Sequence, residues 1–452
     1  MTRLFAVVIA LVAAAPLLAE DVTFNADVMP ILQRHCQDCH RPGQIAPMSF
    51  MSFDETRPWA QSIREVVERR TMPPWHADPR HGEFSNERRL SQAEIDTLVS
   101  WVDEGAKRGD PADLPAARQF PDGWAAGTPD AIYPMVEEYE VAAEGSDEYI
   151  YFRVPLDFDD ERFVSSVEVM PGNRAAVHHV VVYVQPKTMG TLSRTDVARY
   201  NNIAGTELFY GDGDTIRVGA GAPKHDNGCA VPNGGSALSS DITGGRRAII
   251  GVFVPGGRGE HWPEGTARRL PPDSELLLQI HYNKTGSVML DRTSIGLKFA
   301  KRPTEKIMRA RWVQNYYFTI PAGADNHAVT GCYTFEKDVT LYSLWPHMHF
   351  RGKDMEMTAI YPNGETKTLL NVPRYDFNWQ HTYMLKEPMS IPKGTRILVT
   401  AHFDNSKRNP FNPDPNQTVR WGDPTYDEMM IGGMDYTFDD EDLTAEATQQ
   451  QP

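Results

Sequence analysis

Cys36-Gln37-Asp38-Cys39-His40 constrains the first hundred residues more than any other stretch of this chain. C-x-x-C-H is the attachment sequence for c-type haem: two thiolates add to the porphyrin vinyl groups, and the histidine takes one axial face of the iron. A zinc reading would need a second C-x-x-C, but the only other cysteines are Cys229 and Cys332. Residues 20–108 also carry helix patterns. Asn25 is placed to cap a helix that carries Val28, Ile31 and Leu32 toward Cys36. Asp54 is placed to start a second, with Trp59, Ile63, Val66 and Val67 on one face. Ser91-Gln92-Ala93-Glu94 reads as a capping box opening a third, whose Ile95, Leu98, Val99 and Val102 form an apolar stripe ended by Gly105.

Three short helices around C-x-x-C-H predict a small all-α cytochrome c domain over 20–108, with covalent haem c on Cys36 and Cys39 and His40 as one axial ligand. In Thr71-Met72-Pro73-Pro74-Trp75 the prolines stiffen a segment able to present the Met72 sulfur as the other ligand. Met48, Met51, His76 and His81 are the alternatives. Residues 1–19 read as a signal peptide: Arg3 is the positive region, Leu4 to Leu18 the apolar region and Ala19 the last residue before cleavage. That apolar run is short of the ~20 residues a membrane span needs. The expectation is an exported, periplasmic or secreted chain with no membrane span after signal cleavage. Cys229 and Cys332 are then a possible disulfide. The formal charge of −16 argues against nucleic acid as a partner.

Residues 109–129, rich in Pro, Gly and Ala, read as a linker. Beyond it come short β-rich runs: Ala176–Val184, Arg247–Val254, Glu275–Tyr282, Val339–Trp345, Met355–Tyr361 and Arg396–His402. Pro362-Asn363-Gly364-Glu365 is a hairpin signal between two such runs. The fold class expected is multidomain: the small all-α cytochrome c domain, then two tandem antiparallel β-sandwich, jelly-roll-like domains at 130–303 and 304–440. An acidic tail at 441–452 ends the chain.

The fourteen histidines are unevenly placed. His347 and His349, at i and i+2 of a strand, point to one face as two ligands of one metal should. Adjacent His178 and His179 would point to opposite faces, so sharing a metal requires a local bulge. His225, His261, His327, His381 and His402 read as structural or as supports behind the ligands; the aromatic segment Tyr375–Gln380 could wall a cleft, but core packing is the favoured reading.

Four segments, Ala176-Val177-His178-His179, Leu278-Gln279-Ile280-His281-Tyr282, the run His347-Met348-His349-Phe350-Arg351-Gly352-Lys353, and Asp427-Glu428-Met429, occur in the order found in the copper type II, ascorbate-dependent monooxygenases. The chain resembles that family over about residues 150–440. The resemblance implies two copper ions facing each other across an open cleft. It places an electron-transfer copper on His178, His179 and His281, and an O2-binding, catalytic copper on His347, His349 and Met429. Three imidazoles suit both copper oxidation states, whereas a thioether favours Cu(I), the state that meets O2. The family's peptide-amidating members hold a substrate carboxylate with an arginine and a tyrosine; Trp345 and Gly433 stand at those positions, so a peptide C-terminus is not the expected substrate. The implied function is an exported copper-dependent monooxygenase that uses O2 to hydroxylate a small organic substrate. A redox partner would donate electrons to the haem, which relays them. The alternative is a non-catalytic electron-transfer or copper-carrying protein on the same fold, which would need only one metal site.

Overall fold

Strand Arg396–Phe403 buries every second residue, so that Ile397, Val399, Ala401 and Phe403 enter a core while the residues between them stay nearer the surface. The same period of two shows in Gly352–Ile360 and over much of Val339–His347, as strands with one buried face should. The computed structural model describes residues 21–187 and 248–445, apart from positions 45, 121–122, 146–147, 255–256, 258, 316–317 and 423. The expected signal peptide at 1–19, Cys229, His225 and the end of the acidic tail at 446–452 lie outside the described residues.

The chain gathers into two units. The first comprises Met1–Pro42, Met48–Pro73 and Leu90–Arg118. Its α-helices are Met29–His35, Phe53–Thr56, Ala60–Glu68 and Gln92–Asp103. Ser52 caps the second through Glu55, and Ser91 and Glu94 form the expected capping box at the fourth. The first helix is entered from Thr23 through the π-helical turn Phe24–Val28, not capped by Asn25. Phe24, Leu32, Leu98 and Trp101 form the fully buried centre of this unit.

The second unit comprises Gly43–Pro47, Pro74–Arg89 and Gln119–Pro452. It contains four main sheets. One orders Glu148–Pro155, Ser274–Tyr282, Val177–Pro186 and Ala248–Phe253, all antiparallel. A six-stranded sheet is built around Arg162–Met170, Ser294–Phe299 and Thr266–Leu270. The third orders Arg309–Gln314, Ile431–Phe438, Val339–His347 and Tyr383–Ile391. The fourth orders His327–Thr334, Arg396–Phe403, Gly352–Ile360 and Thr366–Val372. The expected hairpin joins the last two strands, with Gly364 at φ +87° in its turn. One apolar core gathers Val164, Val180, Val182, Leu278, Ile280 and Leu297; a second gathers Leu341, Met355, Met357, Val399, Phe403 and Met434.

The expected fold class is therefore corrected. The described chain is mostly strand with a few short helices, its four main sheets standing as four propeller-like blades, and no sizeable all-α cytochrome c domain is built. The physical reason lies in the interruptions. Phe53–Thr56 passes at once into the 3-10 turn Arg57–Trp59, and Pro73, Pro74, Pro79 and Gly82 keep helix out of the segment before Ser91. Among the described residues the longest helix runs 12 residues. Cys332 is disulfide-bonded, while Cys36 and Cys39 stay outside any disulfide. Among the described residues no helix is long and apolar enough to cross a membrane.

Candidate metal centre

Val177–Pro186 is buried along almost its whole length, an inner strand whose neighbours cover both edges. Its pairing with Ser274–Tyr282 slips between Val177 and His179, so His178 sits in a bulge and His179 pairs with His281. The bulge gathers adjacent histidines that regular pleating would separate. The ligand atoms of His178, His179 and His281 all lie within 4.8 Å of one another. The His179 Nδ1 is 3.2 Å from that of His178 and 3.3 Å from that of His281. All three residues are buried, and His178 Nε2 has no hydrogen-bond partner. Burial and neighbouring imidazoles hold His178 down at about 3 and His179 well below its usual range. Neutral imidazoles with converging lone pairs are the donor set a copper ion needs. Tyr149 backs the group, its ring stacked on His281 at 4.4 Å.

His347 and His349 close the strand Val339–His347 and the turn after it. Gln380 donates from Nε2 to the Phe377 carbonyl at 3.0 Å, which leaves its Oε1 facing His347 Nδ1 at 2.5 Å. That oxygen only accepts, so His347 carries its proton on Nδ1 and presents a bare Nε2. His349 Nδ1 likewise donates to the Asp427 carbonyl at 3.2 Å, and its buried Nε2 has no hydrogen-bond partner. Burial lowers His347 to about 4 and His349 well below its usual range.

Met429 is partly buried and packs against the first apolar core, while residues on either side of it are tied to this group. Ile431 pairs with His347, while Glu428 accepts from His349 N at 2.9 Å and Arg351 N at 2.6 Å. Burial pushes the Glu428 carboxyl up to about 8. Arg351, also buried, donates to Asn405 Oδ1 and the Tyr426 carbonyl. Sequence reasoning missed the fastening roles of Glu428 and Gln380, since a lone Glu or Gln in a loop carries no signal of the backbone it will meet.

Gln380→Ala should weaken copper binding at the His347 group by about 10–100-fold, the usual cost of losing an imidazole's orienting partner. Chelator competition read on the more weakly held copper measures it; an unchanged affinity would contradict the role given to Gln380.

The two groups are close. The His179 and His347 ring centroids are 6.1 Å apart, so at these two rings the groups nearly touch. Trp345 and Gly433 are a cross-strand pair, and a Cβ on Gly433 would meet the Trp345 indole at 1.9 Å. The indole thus lies over the glycine and meets Trp312, also paired with Gly433, edge-on at 5.2 Å. Of the histidines read as structural, His402 binds Asp354 at 2.6 Å, and His381 is buried with its ring bonded to the Pro74 carbonyl.

In the helical unit, Cys39 N and His40 N both donate to the Cys36 carbonyl, at 3.1 and 2.9 Å. His40 stacks on Phe50 at 4.2 Å, and its Nδ1 donates to the Met48 carbonyl at 3.3 Å, which leaves Nε2 to act as a ligand. Burial pushes the Cys36 thiol up to about 12. Met48 packs against the helical core, as Cys36 does; Met72 is not part of that core.

Residues 307–437 match the model for "Copper type II ascorbate-dependent monooxygenase, C-terminal domain". The chain is 22% identical over 279 residues to "DBH-like monooxygenase protein 1" of Homo sapiens, covering 57% of this chain and 40% of that protein. It is 22% identical over 307 residues to the Mus musculus protein of the same name, covering 63% and 43%. The chain therefore spans about two fifths of the length of these curated relatives. Among solved structures, PNGF-II overlaps with a TM-score of 0.27 at 9% identity, covering 67% of this chain and 65% of that one, too low to bear on fold or function. Residues 307–437 are thus similar to the C-terminal domain of the copper type II ascorbate-dependent monooxygenases, and the relatives the chain matches are DBH-like monooxygenases.

Proposed function

We propose that this chain is an exported copper monooxygenase that hydroxylates a small organic substrate, with one covalent haem as its port for electrons. The similarity of residues 307–437 to that family's C-terminal domain and the DBH-like relatives support copper, a small-molecule substrate and O2. The observation that carries the finer reading is the pair of buried imidazole groups, one with three converging Nδ1 atoms and one with oriented Nε2 atoms. His178, His179 and His281 would hold the electron-transfer copper, and His347, His349 and Met429 the O2-binding one. Bound there, copper supplies the single-electron chemistry by which RH + O2 + 2e⁻ + 2H⁺ becomes ROH + H2O.

The protein's own contribution is orientation and exclusion of water. The bulge at His178 aims three imidazoles at one point. Gln380 and the Asp427 carbonyl fix the two tautomers at the second group. Glu428 ties the His349 turn to the segment carrying Met429. Trp345 over Gly433 leaves no cation for a carboxylate at that position, in keeping with an uncharged substrate. Reductant-dependent incorporation of one ¹⁸O atom into products from a panel of small aromatic, amine and sulfur compounds tests the activity. A copper carrier would show one labile copper and no oxygen uptake.

Covalent haem c on Cys36 and Cys39, with His40 and Met72 as axial ligands, belongs to the same proposal, as do the leader at 1–19, a periplasmic or secreted location and the Cys229–Cys332 bridge. The turn at Cys36 and the His40 tautomer fit such a haem. Met72→Ala should shift the absorption spectrum toward a high-spin form and change the reduction potential. If spectrum and potential are unchanged, the ligand is Met48, Met51, His76 or His81.

A further inference from the structure

We infer that Phe377 is the positioning residue that sets the separation of the two metal groups. The segment from Tyr375 to Gln380 is pinned at both ends to the strand and turn carrying His347 and His349. At one end the Tyr375 hydroxyl accepts from Met348 N at 3.0 Å and donates to the Met348 carbonyl at 2.7 Å, between the two histidines. Gly352 makes room for it, since a Cβ there would meet the Tyr375 ring at 2.9 Å. At the other end Gln380 holds His347. Between the pins, Asp376 closes a turn by accepting from Asn378 N and Trp379 N.

Phe377 projects from that turn and is buried, with 7% of its surface exposed. Its ring stacks on His178 at 4.9 Å with 16° between planes, and stands 6.0 Å from His281. On its other side it meets His349 edge-on at 6.0 Å and Phe350 at 4.7 Å. One aromatic side chain therefore touches imidazoles of both groups while its backbone is fastened to one of them. Stacked and edge-on aromatic contacts are specific in distance and angle, so a clamped ring transmits a fixed spacing. This places His347 6.1 Å from His179. Phe377 touches ligands and acts through their placement. The inference deepens the proposed function, and its first test does not require copper.

The full chain is compared as wild type, Phe377→Leu and Phe377→Tyr, with thermal melts establishing that each folds. Crystal structures of the metal-free proteins should show the His179–His347 ring separation retained in wild type and Phe377→Tyr. In Phe377→Leu it should lengthen by about 1–2 Å, the usual scale of a packed element's shift. In the oxidised, copper-loaded proteins, dipolar broadening of the copper resonances should be present in wild type, weakened in Phe377→Leu and rescued in Phe377→Tyr. The same separation and broadening in all three would overturn the inference. Fewer than two coppers per chain would count against the proposed function instead, and the metal-free structures would still decide the role of Phe377.

Discussion

His347→Ala should lower bound copper from two ions per chain to one and reduce monooxygenation to the background of the reductant alone. The loss is complete because His347 is one of two imidazoles at its group, and its Nε2 is aimed by the Gln380 bond at 2.5 Å. In the proposed ligand set, removing it would leave His349 and the Met429 thioether, too few donors to hold an ion. The His178 group should keep its copper, since its three ligands come from the Val177–Pro186 and Ser274–Tyr282 strands, neither of which carries His347. The spectrum of the proposed haem should not change, as its expected ligands belong to the helical unit. Metal analysis with ¹⁸O incorporation measures both effects. Retained turnover, or loss of both coppers together, would contradict two separately held ions.

Arg268→Ala should destabilise the β unit by about 3–5 kcal/mol, the usual result of stripping one partner from a buried ion pair. Arg268 is 2% exposed, and its guanidinium reaches Asp435 at 2.7 Å, the Met308 carbonyl at 3.3 Å and Glu260 at 3.7 Å. It also lies 4.9 Å from the Trp262 ring. Ser343 Oγ occupies the other Asp435 oxygen. Thr266–Leu270, which carries Arg268, and Ile431–Phe438, which carries Asp435, belong to different sheets, so the pair fastens one sheet to another. Without the cation, Asp435 is left charged in a buried site, and Glu260, already raised by burial, loses its compensating charge. The double variant Arg268→Met with Asp435→Leu should recover most of the loss, because apolar side chains of similar volume remove the buried charges together. Urea unfolding followed by tryptophan fluorescence is the measurement. A single-variant loss below about 1 kcal/mol, the range of exposed pairs, would contradict the buried-pair reading.

The strands were legible wherever side-chain alternation and turn chemistry agreed. Arg396–Phe403 and the Pro362–Glu365 hairpin are visible in local pattern because one face must be buried and the turn needs Gly364 at positive φ. The need for a bulge at His178 also follows from local geometry, since two adjacent side chains share a face only if the pleat is broken. The helical unit was over-read. Its apolar stripes are real, but Pro and Gly cut them into helices too short for the domain expected. The particular roles of Gln380, Glu428 and Phe377 were illegible for another reason. Each acts on a partner brought near only by tertiary packing, 28 to 199 positions away: Glu428 on His349 at 79, Gln380 on His347 at 33, and Phe377 on His178 and His349 at 199 and 28. The closeness of the two metal groups is of the same kind, because it depends on how one loop is pinned.

Copper stoichiometry of the purified, copper-loaded chain tests the central claim most directly. Elemental analysis after removal of loosely bound metal should give two coppers per chain, falling to one in His281→Ala and to one in His347→Ala. One copper in the wild-type protein, or zinc in place of copper, would contradict the account.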